Sequence, residues 1–163
     1  MSENKTNVMR VLDKKKIPYT MYTYTTEDGI DGVSVAHKLG QPVEQVFKTL
    51  VTQGKSKQYF VFVIPVAEEL NLKAAAKSVG EKSVEMIPVK EINQVTGYIR
   101  GGCSPIGMKK QFKTVIHESA KQLHTIIVSG GKIGFQIELN AKELADLVRA
   151  EFANIINDEN HNL

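Results

Sequence analysis

The sequence predicts one domain of the α+β class, a mixed α/β fold with helices at both ends. Three observations carry this expectation. Strand-like runs come in blocks rather than alternating regularly with helices, helical patterns mark both ends of the chain, and 163 residues match the size of one unit with a substantial core. Residues 1–163 are therefore read as a single domain. A regular doubly wound sheet would interleave strand and helix throughout, and this chain does not.

The elements follow in order. Val8, Val11 and Leu12 fall at helical spacing, and Pro18 biases Ile17 away from helical geometry, so a first helix ends before "IPYTMYTY". The run "YTMYTYT" then reads as a strand. In "SVAHKLG", Ser34 is the expected cap and Gly40 the stop of a short helix; "NLKAAAKSVG" repeats the pattern with Asn71 and Gly80. Between them "QVFKTLVT" and "QYFVFVIP" are separated by the polar turn "QGKSKQ", which predicts a hairpin joining Val46–Thr52 to Tyr59–Ile64. "SVEMI", "FKTVIH", "HTIIVS" and "FQIEL" supply further strands. In the last segment, "NAKELADLVRAEFANIIN", residues Leu144, Leu147, Val148, Phe152, Ile155 and Ile156 share one helical face. Asn140 is its expected N-cap, with Glu143 placed to reach back to the exposed amides.

Composition excludes several classes. With 42% hydrophobic and 24% charged residues and no low-complexity tract, the chain belongs with folded globular proteins. No apolar run approaches the roughly 20 residues of a membrane span, and "MSENKTNVMR" lacks the apolar core of a signal peptide, so a cytoplasmic location without membrane association is expected. The single cysteine, Cys103, excludes an internal disulfide and any Cys-x-x-Cys site. His37, His117, His124 and His161 show no metal-binding spacing, so neither a metal nor another cofactor is expected. The net charge of +3 is too small to announce a nucleic-acid binder. Locally, Arg100, Lys109, Lys110 and Lys113 bracket a glycine-rich stretch, as a rim for phosphates or as a solvated face.

Lys48 stands out because it sits inside an apolar strand. Side chains alternate along a strand, so Lys48 shares a face with Val46 and Leu50 while Phe47, Thr49 and Val51 share the other. A buried ammonium needs a cavity, a carboxylate or water, whereas an edge strand would let the lysine discourage edge pairing or reach solvent. Two glycine-rich stretches, "TGYIRGGCSPIGMKK" and "VSGGKIG", are either loops that bring backbone close to a polar ligand or plain turns. Neither has the ending of a phosphate loop or a dinucleotide fingerprint.

Taken together, "VFKTLV", "TGYIRGGCSPIG" and "VSGGKIGFQIEL", after the opening "KKKIPYTMYTY", resemble the YbaK/EbsC family of free-standing aminoacyl-tRNA deacylases, over about Val8 to Phe152. Within it the likeness is to the YbaK type, which acts on cysteinyl-tRNA(Pro) and is similar to the editing domain of bacterial prolyl-tRNA synthetases. The resemblance implies the YbaK/aminoacyl-tRNA synthetase-associated fold, a mixed, partly barrel-like β-sheet flanked by helices, and a trans-editing activity in which the thiol of the bound cysteine attacks its own ester carbonyl. Placement then replaces a protein nucleophile. It implies that Lys48 is the functional lysine, holding phosphate or carbonyl oxygens. It further assigns substrate contacts to Tyr24 and Thr49, to Gly101, Gly102, Ser104, Pro105 and Gly107 in the first loop, and to Ser129, Gly130 and Gly131 in the second. Thr49 would need backbone contact or a bulge to reach the face of Lys48.

The sequence departs from relatives in two places. Gln136 stands where an aspartate is common, so a binding role is retained for it and a base is not. In "TEDGIDGVSV" a customary aromatic falls near Ile30 or Asp31. Within the resemblance, alanyl- or seryl-tRNA deacylation by an activated water is the nearest alternative; others are a non-catalytic aminoacyl- or nucleotide-binding module and a thiol hydrolase with Cys103 activated by His117 or His124. A small apolar lining role for Cys103 is the simpler reading. The expected partners are aminoacylated tRNA and, because the charge implies modest intrinsic tRNA affinity, prolyl-tRNA synthetase.

Overall fold

The computed structural model describes residues 5–26 and 31–157; the expectations attached to Ile30 and His161 lie outside them. Helix α1 (Asn7–Lys14) is capped by Thr6, whose hydroxyl accepts from Met9 N, and buries Val8, Met9 and Leu12. Strand β1 (Tyr19–Thr23) follows the break at Pro18. Helix α2 (Gly32–Leu39) starts earlier than expected: Asp31 is its cap, accepting from Ser34 N at 3.1 Å, so Ser34 is capped rather than capping. Gly40, at φ 68°, ends it as the sequence implies.

Strands β2 (Phe47–Gly54) and β3 (Tyr59–Pro65) form the expected hairpin in unbroken register, Lys48 opposite Ile64 and Thr49 opposite Val63. Helix α3 (Leu72–Ser78) is capped by Asn71, which accepts from Ala74 N. Then come β4 (Val84–Met86), the short helix α4 (Ile92–Thr96), β5 (Lys113–His117), β6 (Thr125–Ser129) and β7 (Phe135–Asn140). Helix α4 was not expected; it spans a little over one turn and stops at Gly97 (φ 89°).

The final helix is shorter than its periodicity promises. Helix α5 (Ala141–Val148) is capped by Asn140 as expected, but Arg149 adopts a left-handed conformation and residues Glu151–Ala153 form strand β8. The reason lies in the core. Leu144 and Val148 pack with Phe152 in one cluster, whereas Ile155 is buried in another beside Phe60, Phe62 and Val115. One straight helix presents one apolar face, so it cannot serve both clusters; a turn and a strand can.

The expected single sheet is divided in two: a three-stranded antiparallel sheet ordered β1-β7-β6, and a five-stranded mixed sheet ordered β4-β2-β3-β5-β8. A parallel bridge between Val46 and Ile127 joins them. The main core lies between α1, α5 and the inner faces of both sheets, and α3 covers the other face of the larger sheet. A third cluster, Ala36, Val46, Val66 and Ile127, fills the seam. Because β4 pairs only with Thr52–Gly54, the first half of β2 has no strand on that side.

Candidate active site

A cavity of about 540 Å³ opens at this seam, along the unpaired half of β2. Its walls come from Phe47–Leu50, the start of α2, Arg100, Gly101 and Cys103 of the first glycine loop, the end of β6, Gln136 of β7 and Tyr24. The open edge resolves the placement of Thr49. No bulge is present in β2, yet Lys48 and Thr49 both line the cavity, because it wraps around a strand edge and meets side chains of both faces.

Lys48 is half-buried and makes no hydrogen bond or ion pair among the described residues. Burial pushes its pKa below the ordinary lysine value, opposed by the carboxylates of Glu69 and Glu68, which are too distant to pair with it. An ammonium held this way is available to an oxygen brought from outside. Thr49 adds a buried hydroxyl without a partner. Gly32, at the start of α2, packs so closely on Val66 that a Cβ would lie 2.2 Å from its Cγ1, so the helix could not approach this wall with a larger residue.

The remaining expected residues divide into wall and support. Tyr24, Gly101, Ser129 and Gln136 line the cavity. Ser104, Pro105, Gly102 and Gly130 are buried behind it: Ser104 Oγ accepts from Ile106 N, Gly130 N donates to Phe135 O, and a Cβ on Gly102 would lie 2.9 Å from Ile133 N. Gly102 thus lets the two glycine loops touch backbone to backbone. Gly107 and Gly131 both have positive φ and pack around α1 and Tyr98, against Asn7 and Val8 respectively. Of the basic rim, exposed Arg100 reaches the cavity wall; Lys109 lays its stem over Gly97 and donates to Gln94 O, and Lys110 and Lys113 are exposed away from the lining.

Cys103 lines the cavity as a partly buried thiol, its pKa pushed up to about 11 by desolvation, and neither His117 nor His124 shares the cavity. That environment does not make a thiolate. His117 instead accepts from Ile155 N through Nδ1.

Sequence reasoning missed the contribution of Gly32, Val33 and Val35, and the residue behind Gln136. Gln41 Nε2 donates to Gln136 Oε1 at 2.8 Å. Four residues on, Gln45 Nε2 donates to Glu138, whose carboxylate also accepts from the Tyr22 and Thr125 hydroxyls, both at 2.6 Å. Nothing in a polar residue following a helix stop announces such a contact.

The sequence matches the aminoacyl-tRNA editing domain family over residues 27–147. A protein of Enterococcus faecalis with the provisional name Cys-tRNA(Pro)/Cys-tRNA(Cys) deacylase EbsC is 48% identical over 159 residues, covering 97% of each chain. Proline–tRNA ligase of Fervidobacterium nodosum is 26% identical over 137 residues, which are 80% of this chain and 22% of the ligase. Among solved structures, one provisionally described as a trans-editing enzyme for prolyl tRNA synthetase superposes with a TM-score of 0.80 at 21% identity, over 93% of this chain and 95% of that one.

Proposed function

The chain belongs to the aminoacyl-tRNA editing domain family, and from that premise we propose that it deacylates cysteinyl-tRNA(Pro) in trans, with Lys48 as the catalytic group of the seam cavity. It is an aminoacyl-tRNA deacylase that removes amino acids from mischarged tRNA. The observation that carries the finer reading is the pairing of an unpartnered, half-buried Lys48 with a cavity whose one cysteine is a protonated thiol.

The substrate supplies the nucleophile. Its thiol sulfur bonds to the ester carbonyl carbon, the carbon–oxygen bond to the terminal ribose breaks, and the thiol proton ends on the released ribose hydroxyl. The products are a cyclic thiolactone and free tRNA. Lys48 offsets the negative charge that develops on the carbonyl oxygen, and the cavity walls hold thiol and carbonyl in reach of each other. Tyr24, Thr49, Gly101 and Ser129 surround the aminoacyl end, while Gly102 holds the two loops together and Ser104, Pro105, Gly107, Gly130 and Gly131 fix the shape of each loop behind the wall. Arg100 meets the acceptor-end phosphates, with Lys109, Lys110 and Lys113 further out. The likeness to prolyl-tRNA synthetases supports that enzyme as the partner that supplies tRNA identity, in the cytoplasm where the tRNA is charged. Among the described residues no helix is long and apolar enough to cross a membrane.

The test is release of labelled amino acid from cysteinyl-, alanyl-, seryl- and prolyl-tRNA(Pro), with wild type and Lys48→Ala side by side. Selective release of cysteine that disappears in the variant is expected. Equal release of alanine and serine would replace the thiol route with an activated water.

A further inference from the structure

Gln136 lies at the cavity wall with 6% of its surface exposed, and its two amide atoms have different fates. Oε1 is occupied by Gln41 Nε2. Nε2 has no partner among the described residues and, unlike Gln41 Oε1, is not fully buried. Gln41 is itself held: it follows the left-handed Gly40, its backbone N–H donates to Ala36 O at 2.9 Å, and its own Oε1 is buried without a partner. Reversing both amides would place the amino group of Gln41, with two donors, at that sealed position in place of one carbonyl. Buried orphan donors are rarer and costlier than an under-satisfied carbonyl, so the observed orientation is the favoured one.

We propose that Gln41 is a positioning residue: by donating to Gln136 it turns the Gln136 amino group into the cavity, so that this wall offers a donor to an acceptor oxygen of the substrate. The inference rests on the reading of the cavity as an aminoacyl-tRNA site. An aminoacyl ester carries such acceptors in its carbonyl and in the ribose oxygens, whereas its α-ammonium only donates. The wall therefore selects the ester and ribose side and turns the ammonium elsewhere. The connection between α2 and β2 does this twice over, since Gln41 clamps Gln136 and Gln45 clamps Glu138 on the same face of β7.

The experiment compares Gln41→Glu and Gln41→Leu with wild type on cysteinyl-tRNA(Pro), as the ratio of variant to wild-type kcat/KM across pH. An ionised carboxylate at position 41 only accepts, so Gln136 must reverse and present its carbonyl to the cavity. The expected loss at neutral pH is about tenfold, the scale of one hydrogen bond turned from partner to mismatch. As pH falls and the introduced carboxyl protonates, it donates again and the ratio recovers. Gln41→Leu loses about threefold, the scale of a hydrogen bond removed without a mismatch, and shows no recovery. Lys48, Arg100 and Asp31 around the cavity, and Glu138 on the same strand face, are common to all three proteins and cancel in the ratio. Because a carboxylate placed there also costs stability that returns on protonation, the folded fraction of Gln41→Glu is measured at each pH and kcat/KM is taken per folded molecule, so that only recovery of turnover counts. Wild-type kinetics in both variants, or a Gln41→Glu ratio flat with pH, would overturn the inference alone; a wild type inactive on every aminoacyl-tRNA would overturn the functional reading with it.

Discussion

Lys48 and Glu138 are two charged side chains on strands either side of the seam, and the protein treats them in opposite ways. Around Glu138 the Thr125 and Tyr22 hydroxyls and the Gln45 amide converge, and these hydrogen bonds hold its carboxyl below the usual range against the opposing effect of burial. Around Lys48 burial dominates, and its pKa is pushed toward the uncharged form. A charge whose partners are all built in belongs to the fold; one left without them is held ready for a group that arrives later. The presence or absence of built-in partners separates the two more sharply than burial does, since both side chains are only partly exposed.

The comparison is broken most directly at Lys48. Lys48→Met should lower kcat/KM for deacylation by about a hundredfold, the scale of losing one charge-stabilising donor, while thermal unfolding shows no loss of stability because an unpaired, half-buried charge has been removed. A melting temperature that falls steeply would make Lys48 structural after all. Glu138→Gln should do the reverse, costing about 2 kcal/mol in denaturant unfolding because bonds to a charged acceptor are replaced by weaker or mismatched ones, with turnover per folded molecule changed only a few-fold. Tyr22→Phe removes a single one of those bonds and should cost about 1 kcal/mol by the same measurement.

The smallest effects are in the pH dependence, and they sharpen the contrast by sign. Because the folded pKa of Lys48 lies below its ordinary value, the active ammonium is lost at lower pH than a free lysine would allow, while its contribution to stability improves as pH rises through that range. Activity and stability should therefore diverge on the alkaline side, after subtraction of spontaneous ester hydrolysis. Glu138, with its folded pKa lowered, contributes stability that is present above the ordinary carboxylate range and is lost as pH falls through the lowered value. Acid unfolding of Glu138→Gln should show a shallower fall than wild type there.

What the sequence disclosed depended on the range of the interaction responsible. The β2–β3 hairpin and the caps at Asn71 and Asn140 are set by residues a few positions apart, and they could be read directly. Lys48 was conspicuous because a charge inside an apolar run breaks a local pattern. Ser34 misled, since "DGVS" offers two side chains able to cap and Asp31 is the one whose carboxylate reaches the free amide. The second half of the last segment misled for a different reason: Phe152, Ile155 and Ile156 repeat at helical spacing, but Phe152 pairs with β5, Ile155 O accepts from Asn71 N and Ile156 bridges to Leu70, all far away in sequence. The donor behind Gln136 was equally hidden, because Gln41 meets it only through the tertiary fold.

Strand β8 has one more consequence. It lies parallel to β5, which is itself parallel to β3, so each of these contacts closes a long loop and cannot form as a local hairpin does. The β2–β3 hairpin is the cheapest pairing in this sheet to close, whereas β3–β5 and β5–β8 each bring together segments far apart in sequence, and the second of them places Ile155 beside Phe60 and Phe62. The cavity edge on β2 thus sits on the local, cheaply closed pairing, at the opposite side of the sheet from the long-range contact of β8.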